Sequence, residues 1–203
     1  MDALFLTVLL TSVPLILAAT GELVAEKSGV LNLGVEGMML MGAVAAFAVT
    51  SLSGNPYFGI LAAACAGGIT AAVFAVFALG LATNQVATGL ALTIFGAGLS
   101  GLIGAPYVGG TIEGLSVLAI PFLSDLPVFG GLFFKLDPMA YLSIVILGIV
   151  GFFLNNTRAG LILRAVGNNH NSAHALGYSV LWVRCGAVMF GGVMAGLAGA
   201  YLP

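Results

Sequence analysis

Charged residues are scarce in this chain, and that scarcity limits the class of protein it can be. Five lysine and arginine residues and seven aspartate and glutamate residues occur among 203, so 6% of the chain is charged while 61% is hydrophobic. Soluble domains usually carry about 25% charged residues. One soluble core cannot hide this much apolar surface, so lipid must be the solvent for most of it. No basic patch of the kind that binds nucleic acid is present.

Polar interruptions are equally rare along the chain. A membrane-crossing helix needs about 20 mostly apolar residues. The long apolar stretches run continuously rather than alternating, which favours helices over strands, and 30 glycines suit closely packed helices. The sequence therefore predicts an all-α, polytopic transmembrane helical bundle, a single domain over residues 1–203. Its six predicted spans are 3–20, 33–52, 57–80, 86–104, 139–154 and 179–202.

Cysteine is nearly absent, which argues against a disulfide framework. Cys65 lies within the third predicted span and Cys185 near the start of the sixth. Lone cysteines in apolar surroundings are typical packing residues rather than a disulfide pair.

The few basic residues predict how the bundle is oriented. Arg158, Arg164 and Arg184 flank the loop at 155–180. Because cytoplasmic loops carry an excess of lysine and arginine, this loop is expected on the cytoplasmic side. Counting spans back from it places the N-terminus outside.

The same alternation assigns the remaining long connections. Residues 21–32 are expected to form an inside loop, and 105–138 an outside loop that includes a short surface helix near 115–123. The outside loop either receives a solute-binding partner or caps the bundle.

Polar residues near the start of the second span suggest a solute pathway. Asn32 and Glu36 are four residues apart and share one face of a helix. Intramembrane carboxylates usually face a cavity or a partner, which predicts a polar lining. The alternative is a Glu36 that is wetted at the cytoplasmic interface. Glu22, Glu26 and Lys27 fit an ordinary solvated turn.

A second polar cluster opens the fourth span, where Asn84, Gln85 and Thr88 occur close together. These residues either cap the helix or hydrogen-bond a solute hydroxyl. Their position at the predicted membrane boundary favours capping.

The loop at 155–180 contains a candidate docking helix. An asparagine at 168, 169 or 171 can cap a short helix over 172–177. Such a helix can dock into a groove on a partner. It would place three small or apolar residues on one face: Ala173, Leu176 and Gly177.

Catalytic and metal sites are not expected. Residues 98–101 (GLSG) superficially match an intramembrane serine protease, but His170 and His174 lie in the predicted inside loop, far from Ser100. The two histidines are four apart, yet no carboxylate or third ligand accompanies them. Neither a metal nor a cofactor is predicted.

Four segments, in order along the chain, resemble the permease subunits of bacterial ABC importers for nucleosides and simple sugars, the ribose and branched-chain type. They are residues 26–40 (EKSGVLNLGVEGMML), 84–92 (NQVATGLAL), 157–168 (TRAGLILRAVGN, followed by Ala173 and Leu176-Gly177) and 191–199 (GGVMAGLAG).

The resemblance implies a multi-pass protein of the bacterial cytoplasmic membrane that imports solute by alternating access. It implies a second permease as homodimer or heterodimer partner, two cytoplasmic ATPases and an extracytoplasmic solute-binding protein. It further implies ATPase coupling through Arg164, Gly167, Asn168, Ala173, Leu176 and Gly177. Asn32, Glu36, Asn84 and Thr88 are the candidates for the substrate pathway. Members of the family usually continue past this point, so a chain short at its C-terminus is expected.

ATP hydrolysis is expected on a separate chain. A phosphate-binding loop needs G-x-x-x-x-G-K-[ST], and neither Lys27 nor Lys135 completes it. The alternative function is an ion-coupled secondary transporter or a channel for a small polar solute. Such a protein would share the apolar bundle and the polar segment at the start of the second span. The coupling-like loop distinguishes the two, because an ion-driven carrier does not need it.

Overall fold

The structure, a computed structural model, describes residues 2–112, 114–115, 118–119 and 135–202. Within them the chain forms helices α1 (Asp2–Lys27), α2 (Val35–Ser53), α3 (Pro56–Ala75), α4 (Gln85–Gly104), α5 (Pro138–Asn156), α6 (Arg158–Asn168), α7 (His170–Ala175) and α8 (Val180–Ala200). A π-helical stretch, Val76–Gly80, continues α3, and a 3-10 turn, Ala105–Tyr107, follows α4.

Six of these helices are long and apolar enough to cross a membrane, which confirms the predicted all-α bundle. The protein is thus a multi-pass membrane protein. Five of the six spans start and stop within three residues of the predicted bounds. The first does not: residues 21–27 continue α1 instead of joining an inside loop.

Side-chain capping explains where several of the helices begin. The side chain of Asn55 accepts a hydrogen bond at the start of α3, and that of Asp137 does the same for α5; a proline follows each cap. Thr157 caps α6 in the same way. Proline suits the first turn because its missing N–H would have no partner there.

Helix α8 lies at the centre and packs on α1, α2 and α3 through glycine. A Cβ on Gly196 would collide with the Ala63 carbonyl of α3, and one on Gly42 would collide with Gly196 itself. The three backbones are therefore in direct contact. Close approach of this kind is how membrane helices gain packing energy when lipid is as apolar as they are.

Helices α4 and α5 lie at the periphery. Ile94 and Leu102 of α4 are 75% and 73% exposed, and Phe152 of α5 is 63% exposed. Cys65 is also exposed, so it is not the packing residue that its apolar surroundings predicted; Cys185 is half-buried, and both thiols are free.

The described part of the 105–138 connection contains a short antiparallel strand pair, in which Leu118 faces Leu136 and Ala119 faces Lys135. The predicted surface helix near 115–123 is therefore wrong at residues 118–119. The rest of that prediction lies partly outside the described residues.

Candidate functional site at the basic end of the bundle

Every candidate site residue lies at one end of the bundle, which we call the basic end. Here α1 ends at Lys27, α5 ends at Asn156, and α2, α4 and α8 begin. Arg158, Arg164 and Arg184 lie at this end too. At this end the regular helices are joined by segments of non-helical backbone.

The α1–α2 linker (residues 28–34) is the non-helical segment at the centre of the basic end. Ser28, Val30, Asn32 and Gly34 are buried, and buried backbone polar groups need hydrogen-bond partners. Helix α4 supplies two of them: Gln85 Oε1 accepts from the Leu31 N–H at 2.9 Å, and Thr93 Oγ1 donates to the Leu33 carbonyl at 2.9 Å. One side of the linker is thereby fixed to α4.

Glycine lets α4 come this close. A Cβ on Gly89 would lie 2.8 Å from the Leu33 nitrogen and 3.0 Å from the Gly34 nitrogen. Any side chain at Gly89 would therefore push the linker away from Gln85 and Thr93. The Gly-Leu step of the 84–92 segment thus has a packing role.

Helices α1 and α8 hold the other side of the linker. Glu22 Oε1 accepts from the Asn32 N–H at 3.1 Å, and Arg184 Nε donates to the Ser28 carbonyl at 3.1 Å. Glu22 is half-buried, with its second carboxylate oxygen buried and unpartnered within the described residues. It belongs to α1, so the interpretation of Glu22 as part of a solvated turn is wrong, whereas Glu26 and Lys27 are exposed.

The first two pathway candidates have different environments. Asn32 is 2% exposed, and its Oδ1 accepts from the Gly34 N–H at 3.0 Å while its Nδ2 faces Met38 Sδ at 3.6 Å. Its side chain therefore shapes the turn into α2. Glu36, in the first turn of α2, is exposed and forms no hydrogen bond within the described residues.

The second pair of pathway candidates lies where α4 begins. Asn84 Oδ1 accepts from the N–H groups of Val86 and Ala87, so Asn84 caps the helix. Thr88 is half-buried, and its hydroxyl is 2.8 Å from that of Thr83. Asn84 and Thr88 thus already have partners, while Glu36 has none among the residues that the structure describes.

Helix α6, which is part of the candidate coupling segment, contacts the linker. A Cβ on Gly167 would collide with the Lys27 carbonyl and would lie 3.1 Å from the Gly29 nitrogen. Gly29 itself has φ +82°, in the left-handed region that favours glycine. The backbones of α6 and the linker are in van der Waals contact, so α6 packs directly against the start of the linker.

Polar residues of α1 and α6 border a cleft beside this contact. Glu26, Lys27, Arg164 and Asn168 line it. Arg164 is half-buried, and its Nε is buried without a partner among the described residues. A buried guanidinium N–H that has no partner is an available donor for an incoming acceptor.

Helix α7 has the predicted length of six residues but lies two residues earlier, at His170–Ala175 instead of 172–177. Asn169, one of the three asparagines considered as caps, accepts from the Ser172 N–H at 3.1 Å. Ala173 is 3% exposed, whereas Leu176 is 76% exposed. Ala173, Leu176 and Gly177 therefore do not share one docking face.

Gly177 ends α7 in a left-handed conformation with φ +86°. Its N–H donates to the His174 carbonyl, and the Tyr178 N–H donates to that of Ala173. This paired pattern is a Schellman cap, which needs a residue that tolerates positive φ. Leu176 and Gly177 thus form an exposed corner at the end of α7.

The sequence did not single out Thr93 or Ser28; it used Arg184 only to predict orientation, and it gave Gln85 no partner. Each forms its contact with a residue far away in the chain. Thr93 and Leu33, for example, are 60 residues apart. A threonine within an apolar helix was the only local signal. No cluster of metal-ligating side chains occurs among the described residues.

The comparison with protein families decides the assignment. A family described as the permease component of the branched-chain amino acid transport system matches residues 4–203. The chain belongs to this family. Its members are permease components of transport systems, which agrees with the predicted ABC permease and with six helices long and apolar enough to cross a membrane.

Several curated proteins are similar to this permease. A putative glucose ABC transporter permease of Haloferax volcanii is 41% identical over 93% of this chain and 58% of its own length. A nucleoside ABC transporter permease of Lactococcus lactis and a guanosine ABC transporter permease of Bacillus subtilis are each 32% identical. They cover 95% and 94% of this chain and 64% of their own lengths. The chain thus spans about three fifths of these relatives, and no solved structure matches it significantly.

Proposed function

We propose that this permease forms the transmembrane part of an ATP-driven importer that moves a nucleoside or simple sugar across the cytoplasmic membrane by alternating access. The observation that carries the proposal is the matched family, together with relatives whose names specify glucose, nucleosides and guanosine. Both classes of solute are rich in hydroxyl groups and uncharged.

The proposed partners follow from the same assignment. Cytoplasmic ABC ATPases would bind the basic end, a second permease would complete the pathway, and an extracytoplasmic solute-binding protein would deliver solute. In this arrangement residues 155–180 are the coupling loop of a single transmembrane domain, and ATP hydrolysis takes place on the separate ATPase. The basic end then faces the cytoplasm, in keeping with its arginines.

Glu36 is the pathway residue that we favour among the four candidates. Its carboxylate is exposed and unpaired within the described residues, so it is free to accept hydrogen bonds from solute hydroxyls. Thr88 and Asn84 would contribute from the start of α4. Asn32 would act through the linker, whose turn its side chain shapes.

Coupling to the ATPase is proposed for two surfaces of the 155–180 segment. The exposed corner at Leu176 and Gly177 offers an apolar contact. The cleft at Arg164, Gly167 and Asn168 offers a donor for a carboxylate of the ATPase. Ala173 is buried and would support the corner from behind.

The ion-coupled carrier or channel is the second candidate, and the family assignment favours the importer over it. A carrier of that kind would use the same polar groups but would not need residues 155–180 for transport. The coupling segment therefore provides the discriminating experiment.

The test is co-purification of the detergent-solubilised permease with the ATPase encoded beside it. We expect stable binding that is lost when residues 168–177 are scrambled and kept when residues 51–54, at the opposite end of the bundle, are scrambled. ATP-dependent uptake of labelled guanosine or glucose into vesicles that hold the assembled complex would complete the test. Ion-driven uptake that needs no ATPase would contradict the proposal.

A further inference from the structure

The α1–α2 linker connects the candidate coupling segment to helix α4. At its first residues, the linker meets α6 through the contact between Gly167 and the backbone of Lys27 and Gly29. At its last residues, it is bound to α4 by Gln85 and Thr93. One short stretch of non-helical backbone therefore contacts both elements.

These two contacts differ in kind. The contact with α6 is between backbones in van der Waals contact, so α6 cannot move toward the linker without displacing it. The contact with α4 combines a close backbone approach at Gly89 with two hydrogen bonds to the side chains of Gln85 and Thr93. A displacement of the linker is thereby applied to α4 at two points that are eight residues apart.

Helix α4 is also the span best able to respond. It packs on α2 and on the linker, with Gly96 against the backbone of Gly37. The opposite face is open: Leu90 is 51% exposed, and a Cβ on Gly98 or Gly101 would meet nothing within 4 Å. Helix α8, in contrast, is enclosed by α1, α2 and α3.

We propose that the α1–α2 linker transmits displacement of α6 to α4, with Gln85 and Thr93 as positioning residues that hold the two together. The importance of this relay for transport rests on the proposed importer function, since the ATPase would supply the displacement of α6. The relay itself is a property of the permease chain.

The first experiment measures that coupling without an ATPase. A single cysteine replaces the exposed Val86 at the start of α4, in a background where Cys65 and Cys185 are serine, and its labelling rate is measured in membrane vesicles. Gly167→Ala, which pushes on the linker, is expected to change this rate about twofold or more. With Thr93→Val and Gln85→Ala added, the same Gly167→Ala substitution should change it no further.

A matched control separates the relay from general damage to α4. Ser100 lies on the same helix, but its hydroxyl donates to the Ala97 carbonyl within α4 and does not reach the linker. Ser100→Ala should leave the effect of Gly167→Ala intact. If Gly167→Ala has no effect on the labelling rate, or an equal effect with and without Gln85 and Thr93, the relay is disproved.

The second experiment uses the assembled transporter in proteoliposomes. Thr93→Val should lower the amount of guanosine or glucose moved per ATP hydrolysed by about twofold or more, while ATP hydrolysis itself persists. A parallel fall of transport and hydrolysis would show that the hydroxyl only stabilises the fold. If the labelling experiment succeeds and the wild-type chain neither binds an ATPase nor transports solute, the relay stands and the importer function fails.

Discussion

The glycine-packed centre and the basic end are held together by different means. At the centre, the backbones of α2, α3 and α8 touch through Gly42, Gly67 and Gly196. At the basic end, Gly89 and Gly167 also bring backbones close together, but side chains such as Gln85 and Arg184 add hydrogen bonds to the backbone of the linker. Packed backbones tolerate little displacement, whereas a side-chain hydrogen bond can break and re-form with water at modest net cost.

The difference indicates which part of the molecule is rigid and which can rearrange. A transporter needs a stable frame, and it also needs elements that shift between two arrangements of similar energy. The α2–α3–α8 centre suits the frame. The linker and α4, held in part by side-chain hydrogen bonds and open on one side, suit the moving part.

The largest expected effect comes from adding one methyl group to the rigid centre. Gly196→Ala would drive a Cβ into the Ala63 carbonyl, so α3 and α8 must separate. We expect the free energy of unfolding to fall by about 1–3 kcal/mol. The fall would be measured as a lower midpoint of thermal unfolding in detergent.

Gly101→Ala is the matched control for the centre, because its Cβ would meet open space on α4. Alanine is the better helix former, so this variant should be unchanged or slightly more stable. Equal losses in the two variants would contradict the distinction between a packed centre and an open α4.

The next effect concerns transport at the basic end. Glu36→Ala removes an exposed carboxylate from the first turn of α2 and should lower uptake by about tenfold or more, since hydrogen bonds to charged groups are worth about 1.5–3 kcal/mol. Membrane insertion and the unfolding midpoint should not change. Uptake is measured with labelled guanosine or glucose in vesicles.

Leu40→Ala provides the comparison for Glu36. Leu40 lies one turn further along α2 and is 39% exposed, but it has no polar group to offer a solute. If it lowers uptake as much as Glu36→Ala, the effect belongs to this helix face and not to the carboxylate.

A smaller effect is expected at the exposed corner of the coupling segment. Gly177 and Gly54 both have positive φ, +86° and +68°, but they lie at opposite ends of the bundle. Alanine at either position should cost about 1–2 kcal/mol of local strain. Only Gly177→Ala should weaken co-purification with the ATPase, and Gly177→Asn should weaken it less because asparagine tolerates this conformation. Equal weakening by Gly54→Ala would argue against a coupling role.

Hydropathy sufficed to predict the spans, because a run of apolar residues has the same meaning wherever it folds. Local chemistry favoured the cap at Asn84 and narrowed the other cap to three asparagines, of which Asn169 is the one; both caps act within three residues. The end of the first span was wrong because Glu22, Glu26 and Lys27 suggested a solvated turn. Glu22 is instead accommodated in α1 by its bond to the Asn32 N–H.

The linker contacts could not be predicted, since they depend on how helices meet. Gln85 and Leu31 are 54 residues apart, and nothing near either residue in the sequence specifies the other. The glycines posed a similar problem. Gly196 and Gly101 look alike in the sequence, yet one is in backbone contact and the other faces open space.

The smallest expected effect lies at the end of the bundle opposite the linker. There the Tyr201 hydroxyl donates to Asp137 Oδ2, while Asp137 Oδ1 accepts from the Ala140 N–H at the start of α5. Tyr201→Phe removes the bond but leaves the cap. Because Tyr201 is half-exposed, the loss should be at most about 1 kcal/mol, without any change in uptake.

Titration provides a second test of this pair. Burial, followed by the hydrogen bond to Asp137, raises the pKa of Tyr201 above its ordinary value. The contribution of the protonated hydroxyl is therefore fully present below about pH 10 and is lost only as the pH rises through the raised pKa. The difference in unfolding midpoint between wild type and Tyr201→Phe should stay constant between about pH 6 and pH 9. A difference that disappears within that range would show that another group titrates at this contact.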